Sequence, residues 1–196
     1  MRLVILRHGE SVCNKSNVLA GWKNVCLTNE GRYQSKNVCK ILKNINFEYI
    51  FTSDLERAIE TSCIIQKELN QNSIIKYSYA LKEKDYGVLS GESIKDLEKV
   101  YGSDQVKKWR KSYWITPPNG ESLNDVKCRF GSYFDNHIKP LLYRNHNILI
   151  VSHSSALKAL LVHLRIKNEK TVETFDIPNC KPIEIDINCH TFKYID

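Results

Sequence analysis

Arg2-Leu3-Val4-Ile5-Leu6 runs without a break into Arg7-His8-Gly9-Glu10-Ser11, and Asn14 follows three residues later. The apolar run reads as a strand buried on both faces, and open α/β sheets keep their ligand crevices at the carboxyl ends of such strands. One cation and one imidazole are thereby delivered to the crevice. Arginine offers a rigid, permanently charged fork for a phosphate, glycine lets the backbone turn close to it, and a neutral histidine can attack phosphorus. Taken alone, the pentad also fits a plain surface turn, so the rest of the chain has to decide.

The same logic recurs at Ile148-Leu149-Ile150-Val151, which leads into Ser152-His153-Ser154-Ser155 and then a helical pattern. Two parallel strands that both end in histidine can hold a phosphate between them, and the N–H groups opening the new helix add positive potential there. A third cation, Arg57, lies in the first turn of the helix that follows Tyr49–Thr52. First turns favour acids, so an arginine there calls for an anion nearby. Leu81 to Gly87 then places Glu83 and Asp85 in a loop; either acid could be solvated, and one could donate a proton to a leaving oxygen.

Apolar runs at Leu3–Leu6, Tyr49–Thr52, Ile74–Tyr77 and Ile148–Val151 alternate with helical stretches, which means α/β. Thr28 is expected to cap a helix to about Leu42, and Ser53 or Asp54 one over 55–69. Helices are expected at 92–101 and 104–112, from Ser122 with Asp125 to about Tyr143, and over 154–164. Short strands at 183–187 and 191–195 complete the pattern. With no repeat and no Pro-, Gly- or Ser-rich linker, the expectation is a single-domain three-layer sandwich over 1–196, a mostly parallel sheet flanked by helices. The helical insertion at about 80–146 is too long for a simple crossover and reads as a lid over the sheet's carboxyl edge.

A length of 196 residues suits one domain with its own core. The net charge of +7 suits an anionic partner. Lys is dispersed, with no long cationic run, so the expected partner is a small phosphorylated substrate, with no nucleic acid and no membrane. Seven cysteines without a CxxC pair read as reduced thiols. No run approaches the ~20 apolar residues of a membrane helix and the first residues are already strand, so a cytoplasmic address is expected. His137, His146, His163 and His190 have no partner at metal-ligand spacing, and no metal or nucleotide cofactor is expected.

With these residues in view, the chain resembles the histidine phosphatase superfamily, and within it the compact form of the cofactor-dependent phosphoglycerate mutases. The resemblance rests on RHGES with Asn14, AGW at 20–22, LTxxG at 27–31 and TSxLxRAxxT at 52–61. It continues through LxExxYG at 81–87, YGxxQVxxWRxSY at 101–113, PPxGESL at 117–123 and SHSSALKAL at 152–160. It implies that His8 is the phosphorylated nucleophile, that Arg7, Arg57 and His153 form the phosphate pocket, and that Glu83 gives and takes the proton. It further implies substrate contacts from Ser11, Asn14, Gly21, Tyr86 and Ser154, and a basic pair, Arg110 and Lys111, for the far end of a phosphoglycerate. 2,3-Bisphosphoglycerate is then the priming phosphoryl donor, and a homodimer is suggested without any residue that shows its interface.

The family pattern departs at Ala20 (usually Thr), Ile94 (usually Lys), Lys111 (usually Arg) and Ser154-Ser155 (usually Gly-Asn), positions that hold substrate. Lys95, one residue on, could replace the lysine only by turning about 100° around a helix. The expected function is interconversion of 3-phosphoglycerate and 2-phosphoglycerate in glycolysis and gluconeogenesis; the alternative is a metal-independent phosphatase of small phosphomonoesters or phosphoproteins. A catalytically silent binding protein would have no reason to keep His8, Arg57, Glu83 and His153 together.

Overall fold

Strand β1 (Leu3–Arg7) lies at the centre of a six-stranded sheet in the computed structural model, which describes residues 1–195. Its partners are β2 (Tyr49–Thr52), β3 (Ile74–Tyr77), β4 (Ile148–Ser152), β5 (Ile183–Asp186) and β6 (Thr191–Tyr194), in the order β3-β2-β4-β1-β5-β6. The first four strands of that order run parallel; β5 and β6 are antiparallel additions. Register fixes the site. Arg7 pairs with Ser152 and Thr52 with Val151, so the residues that follow, His8, Ser53 and His153, leave the sheet at one level.

Side chains alternate across the sheet with period two, and each face has its own helical layer. Leu3, Ile5, Phe51, Ile148 and Ile150 face α7 (Leu123–Tyr133) and α9 (Ser154–His163). Val4, Leu6, Ile50, Leu149 and Val151 pack with residues of α3 (Cys39–Leu42) and α4 (Glu56–Leu69), on the side that also carries α2 (Asn29–Asn37). This is the three-layer sandwich. Between β1 and α2, α1 (Val12–Lys15) opens on a capping box from Ser11 and Asn14. Gly9 and Gly31 interlock, since a Cβ on Gly9 would fall on the Gly31 carbonyl oxygen and one on Gly31 on the Glu10 carbonyl oxygen.

The segment between β3 and β4 divides in two. A small apolar cluster of Leu19, Tyr86, Leu89, Leu97, Val106 and Trp109 holds α5 (Ile94–Tyr101) and α6 (Ser103–Lys111) beside the sheet's carboxyl edge. By contrast, α7 and α8 (Lys139–Tyr143) belong to the layer that covers the sheet. Ser122 and Asp125 form the expected capping box, but the helix they start is interrupted by a π turn at Phe134–Ile138. Pro140 lacks the N–H that would continue an α ladder, which accounts for the shift.

Two caps differ from expectation. Neither Ser53 nor Asp54 caps α4; Leu55 occupies the N-cap position, the Ser53 hydroxyl is taken by His153, and Asp54 pairs with Lys82 at 3.3 Å. Helix α10 (Glu169–Thr174), with its own capping box from Asn168, has no counterpart in the sequence reading. All seven cysteines are free. Among the described residues no helix is long and apolar enough to cross a membrane.

Candidate active site

The His8 and His153 rings meet edge to face, centroids 5.0 Å apart and planes at 60°. Adjacent strands create this pairing, with the His8 N–H bonded to the Ser152 carbonyl at 3.0 Å. His8 Nδ1 lies 2.7 Å from the Gly9 carbonyl oxygen, which can only accept, so the proton belongs on Nδ1 and the lone pair on Nε2. That lone pair receives Arg57 Nε–H at 3.2 Å. Burial, then Arg57 and Arg7, lower the His8 pKa well below its ordinary value against the opposing Gly9 bond. His153 is lowered well below its ordinary value by burial first and then by Arg57. Both rings are neutral near pH 7, the form in which histidine is a nucleophile.

Arg57 is itself buried, in the first turn of α4, where desolvation lowers its pKa to about 10. Its Nη1 and Nη2 donate to the carbonyls of Lys23 and Gly21 at 3.0 and 2.9 Å. Arg7 donates Nη1–H to the Ile177 carbonyl at 2.9 Å, while its Nε and His153 Nδ1 are buried without a partner among the described residues. Unmatched buried groups beside a cavity with a cationic wall fit an anionic ligand.

Glu83 comes from the loop after β3 and meets the start of α9, where its Oε1 accepts Ser155 N–H at 3.1 Å and Lys84 N–H at 2.8 Å. The loop is braced from behind. Arg129 donates to the carbonyls of Ala80, Lys82 and Glu83 at 2.8, 3.0 and 2.8 Å and pairs with Glu121, while Trp22 Nε1 donates to the Glu83 carbonyl at 2.7 Å. Tyr86 Oη stands 3.5 Å from Ser155 Oγ, and burial raises its phenol to about 12.

A cavity of about 410 Å³ gathers Arg7, His8, Asn14, Gly21, Arg57, Glu83, Tyr86, Arg110, Lys111 and Ser154 on one wall system. Two expected residues lie outside it. His153 is fully buried beneath His8, its Nε2 2.7 Å from Ser53 Oγ, so its place is behind the first imidazole. Ser11, expected as a substrate contact, is fully buried and not among the wall residues; its hydroxyl accepts Asn14 N–H at 3.3 Å to cap α1, which sets Asn14 at the cavity. Ala20, Ile94 and Ser155 also line the wall, whereas Lys95 is exposed on α5 and outside it.

Sequence reasoning missed Glu10, Lys158, Asp176 and Asn179, all on the wall. Asn179 donates to the His8 carbonyl at 2.7 Å and so frames the histidine from the segment before β5. Only Lys158 carried a signal, since it lies four residues after Ser154 on a helix already singled out. Among the described residues no group of three or more His, Cys, Asp or Glu side chains is placed to hold a metal ion.

The family model described as "Histidine phosphatase superfamily (branch 1)" matches residues 3–195. A 2,3-bisphosphoglycerate-dependent phosphoglycerate mutase of Bartonella bacilliformis is 38% identical over 190 residues, which cover 95% of this chain and 92% of the relative. A mutase of the same name from Chlamydia muridarum is 33% identical, covering 92% and 91% of the two chains. A mycobacterial glucosyl-3-phosphoglycerate phosphatase solved with VO3 superposes with a TM-score of 0.86 over 98% of this chain and 96% of its own, at 21% identity, and shows the fold.

Proposed function

The chain belongs to the histidine phosphatase superfamily (branch 1), and from that premise we propose that it is a 2,3-bisphosphoglycerate-dependent phosphoglycerate mutase, interconverting 3-phosphoglycerate and 2-phosphoglycerate through a phosphohistidine. The observation that carries the reading is the neutral His8 imidazole, held between His153, Arg57 and Arg7 at the floor of a cavity that Glu83 also lines.

His8 Nε2 attacks phosphorus in line. Arg57, whose Nε–H points at that nitrogen, and Arg7, whose Nε is unpartnered, turn to the equatorial oxygens. Positioning and fixed charge supply most of the acceleration in such a transfer. Glu83 protonates the departing oxygen and later takes the proton of the accepting hydroxyl, so one carboxylate serves both half-reactions. His153 packs against the His8 ring and fixes its plane. The unpartnered Arg7 Nε and the basic residues Arg110 and Lys111 on the same wall fit a ligand with two anionic ends, and 2,3-bisphosphoglycerate when bound supplies the phosphoryl group that primes His8.

A coupled assay tests this. After priming with 2,3-bisphosphoglycerate, 3-phosphoglycerate should be isomerised and acid-labile phosphate should be trapped on the wild-type chain but not on His8→Ala. Steady release of inorganic phosphate in place of the isomer would instead mark a phosphatase.

A further inference from the structure

Lys158 is used by nothing described so far. It sits on α9 one turn after Ser154, and residues four apart share a helix face, so the face that brings Ser154 to the cavity brings this ammonium too. The side chain is half-buried, and among the described residues it makes no hydrogen bond or ion pair. A half-buried ammonium without an acceptor is costly unless a ligand supplies one. Burial lowers its pKa, Lys111 and Arg7 push the same way, and the carboxylates of Asp176 and Glu83 only partly offset them.

Five cations line the cavity against three carboxylates, Glu10, Glu83 and Asp176. Arg7 and Arg57 are committed to the His8 end, where one phosphate suffices for them. Arg110, Lys111 and Lys158 are then left for a second negative group, whereas Ile94 brings no charge to the wall. We propose that Lys158 is a specificity-determining residue whose ammonium holds the anionic group of the substrate that is not transferred, the carboxylate of a phosphoglycerate. Asp176 opposes the lowering of the lysine's pKa, and among the described residues the two form no ion pair. The enzyme would therefore select small phosphate esters that carry a second negative group over esters of neutral alcohols. This assignment rests on the phosphoglycerate reading given above.

The test compares KM for 3-phosphoglycerate with KM for p-nitrophenyl phosphate, which has no second anionic group. Lys158→Met should raise the first about tenfold more than the second, the loss of one charge-assisted hydrogen bond. Lys158→Arg should keep the wild-type ratio, and Ile94→Lys in the Lys158→Met background should recover part of it. Should Lys158→Met fail to fold, Lys158→Gln is read in the same way. Equal changes for both substrates, or a wild-type protein with no preference for phosphoglycerate, would overturn the assignment. Phosphate release in place of isomerisation would reject the mutase reading alone, because the KM comparison can be made on released phosphate as well.

Discussion

Arg57 donates Nε–H to His8 Nε2 across 3.2 Å, so the nitrogen assigned to attack phosphorus is hydrogen-bonded to the cation that, after burial, does most to keep it unprotonated. The same guanidinium can thus hold the lone pair and pass to a phosphate oxygen when one arrives.

Replacing Arg57 by Gln should lower kcat about 10²- to 10³-fold, as loss of a fixed donor to a developing charge does. It should also move the acid limb of kcat/KM to higher pH, because a cation that lowers the His8 pKa is gone. A pH–rate profile of the variant checks both. An unmoved acid limb would show that Arg57 does not set the state of His8.

Stability should depend on pH through the two histidines. Both pKa values are lowered in the folded protein, chiefly by burial, and return to about 6.5 on unfolding. Below about pH 6.5 the unfolded chain binds more protons, so the stability present above that pH is progressively lost as the pH falls toward the folded values. Each ring contributes at most about 1.4 kcal/mol per pH unit. Denaturant titrations at pH 7, 6 and 5 should show this slope, and His153→Asn should reduce it by about one proton.

Glu83→Gln keeps an acceptor for the Ser155 N–H but has no proton to exchange. It should lower isomerisation about 10²- to 10⁴-fold and spare p-nitrophenyl phosphate, whose leaving group needs no acid. Arg129→Lys loses the fork that braces three carbonyls of the same loop, and should reproduce this selective loss in weaker form. Equal loss on both esters would mean that Arg129 serves stability alone.

Lys84 is buried, and its Nζ donates to the Trp109 carbonyl at 2.7 Å, at the end of α6 that bears Arg110 and Lys111. Burial lowers its pKa to about 8, against the pull of Glu83, Glu121 and Asp125. Above pH 8 the bond loses its charge and weakens. KM for 3-phosphoglycerate should then rise above pH 8 in the wild type. In Lys84→Met it should be raised throughout and lack this alkaline limb, which KM measurements from pH 7 to 9 would show.

The four parallel strands were legible as short runs rich in apolar residues, β5 and β6 as short alternating segments, and the cavity positions of Arg7, His8, Arg57 and Glu83 were legible because each lies at the carboxyl end of a parallel strand or in the segment that follows one. Ser53 misled as a cap because its hydroxyl meets a histidine 100 residues away and accepts the N–H of Leu55, the N-cap residue, instead of one inside the helix. Ser11 caps α1 away from the wall residues, since a small hydroxyl serves a helix start as readily as a phosphate. Asn179 could not be found at all. Its contact with His8 spans 171 residues and depends on β5 pairing with β1, which no local pattern announces.

That long contact has a consequence for biosynthesis. Arg7 and His8 leave the ribosome about 170 residues before the groups that frame them, the backbone carbonyl of Ile177 and the side-chain amide of Asn179. A nascent chain stalled or cut short before this segment would carry every group assigned to the chemistry while leaving the histidine's own peptide unrestrained. Competence to transfer a phosphoryl group is thus postponed until the segment around Asn179 has been made.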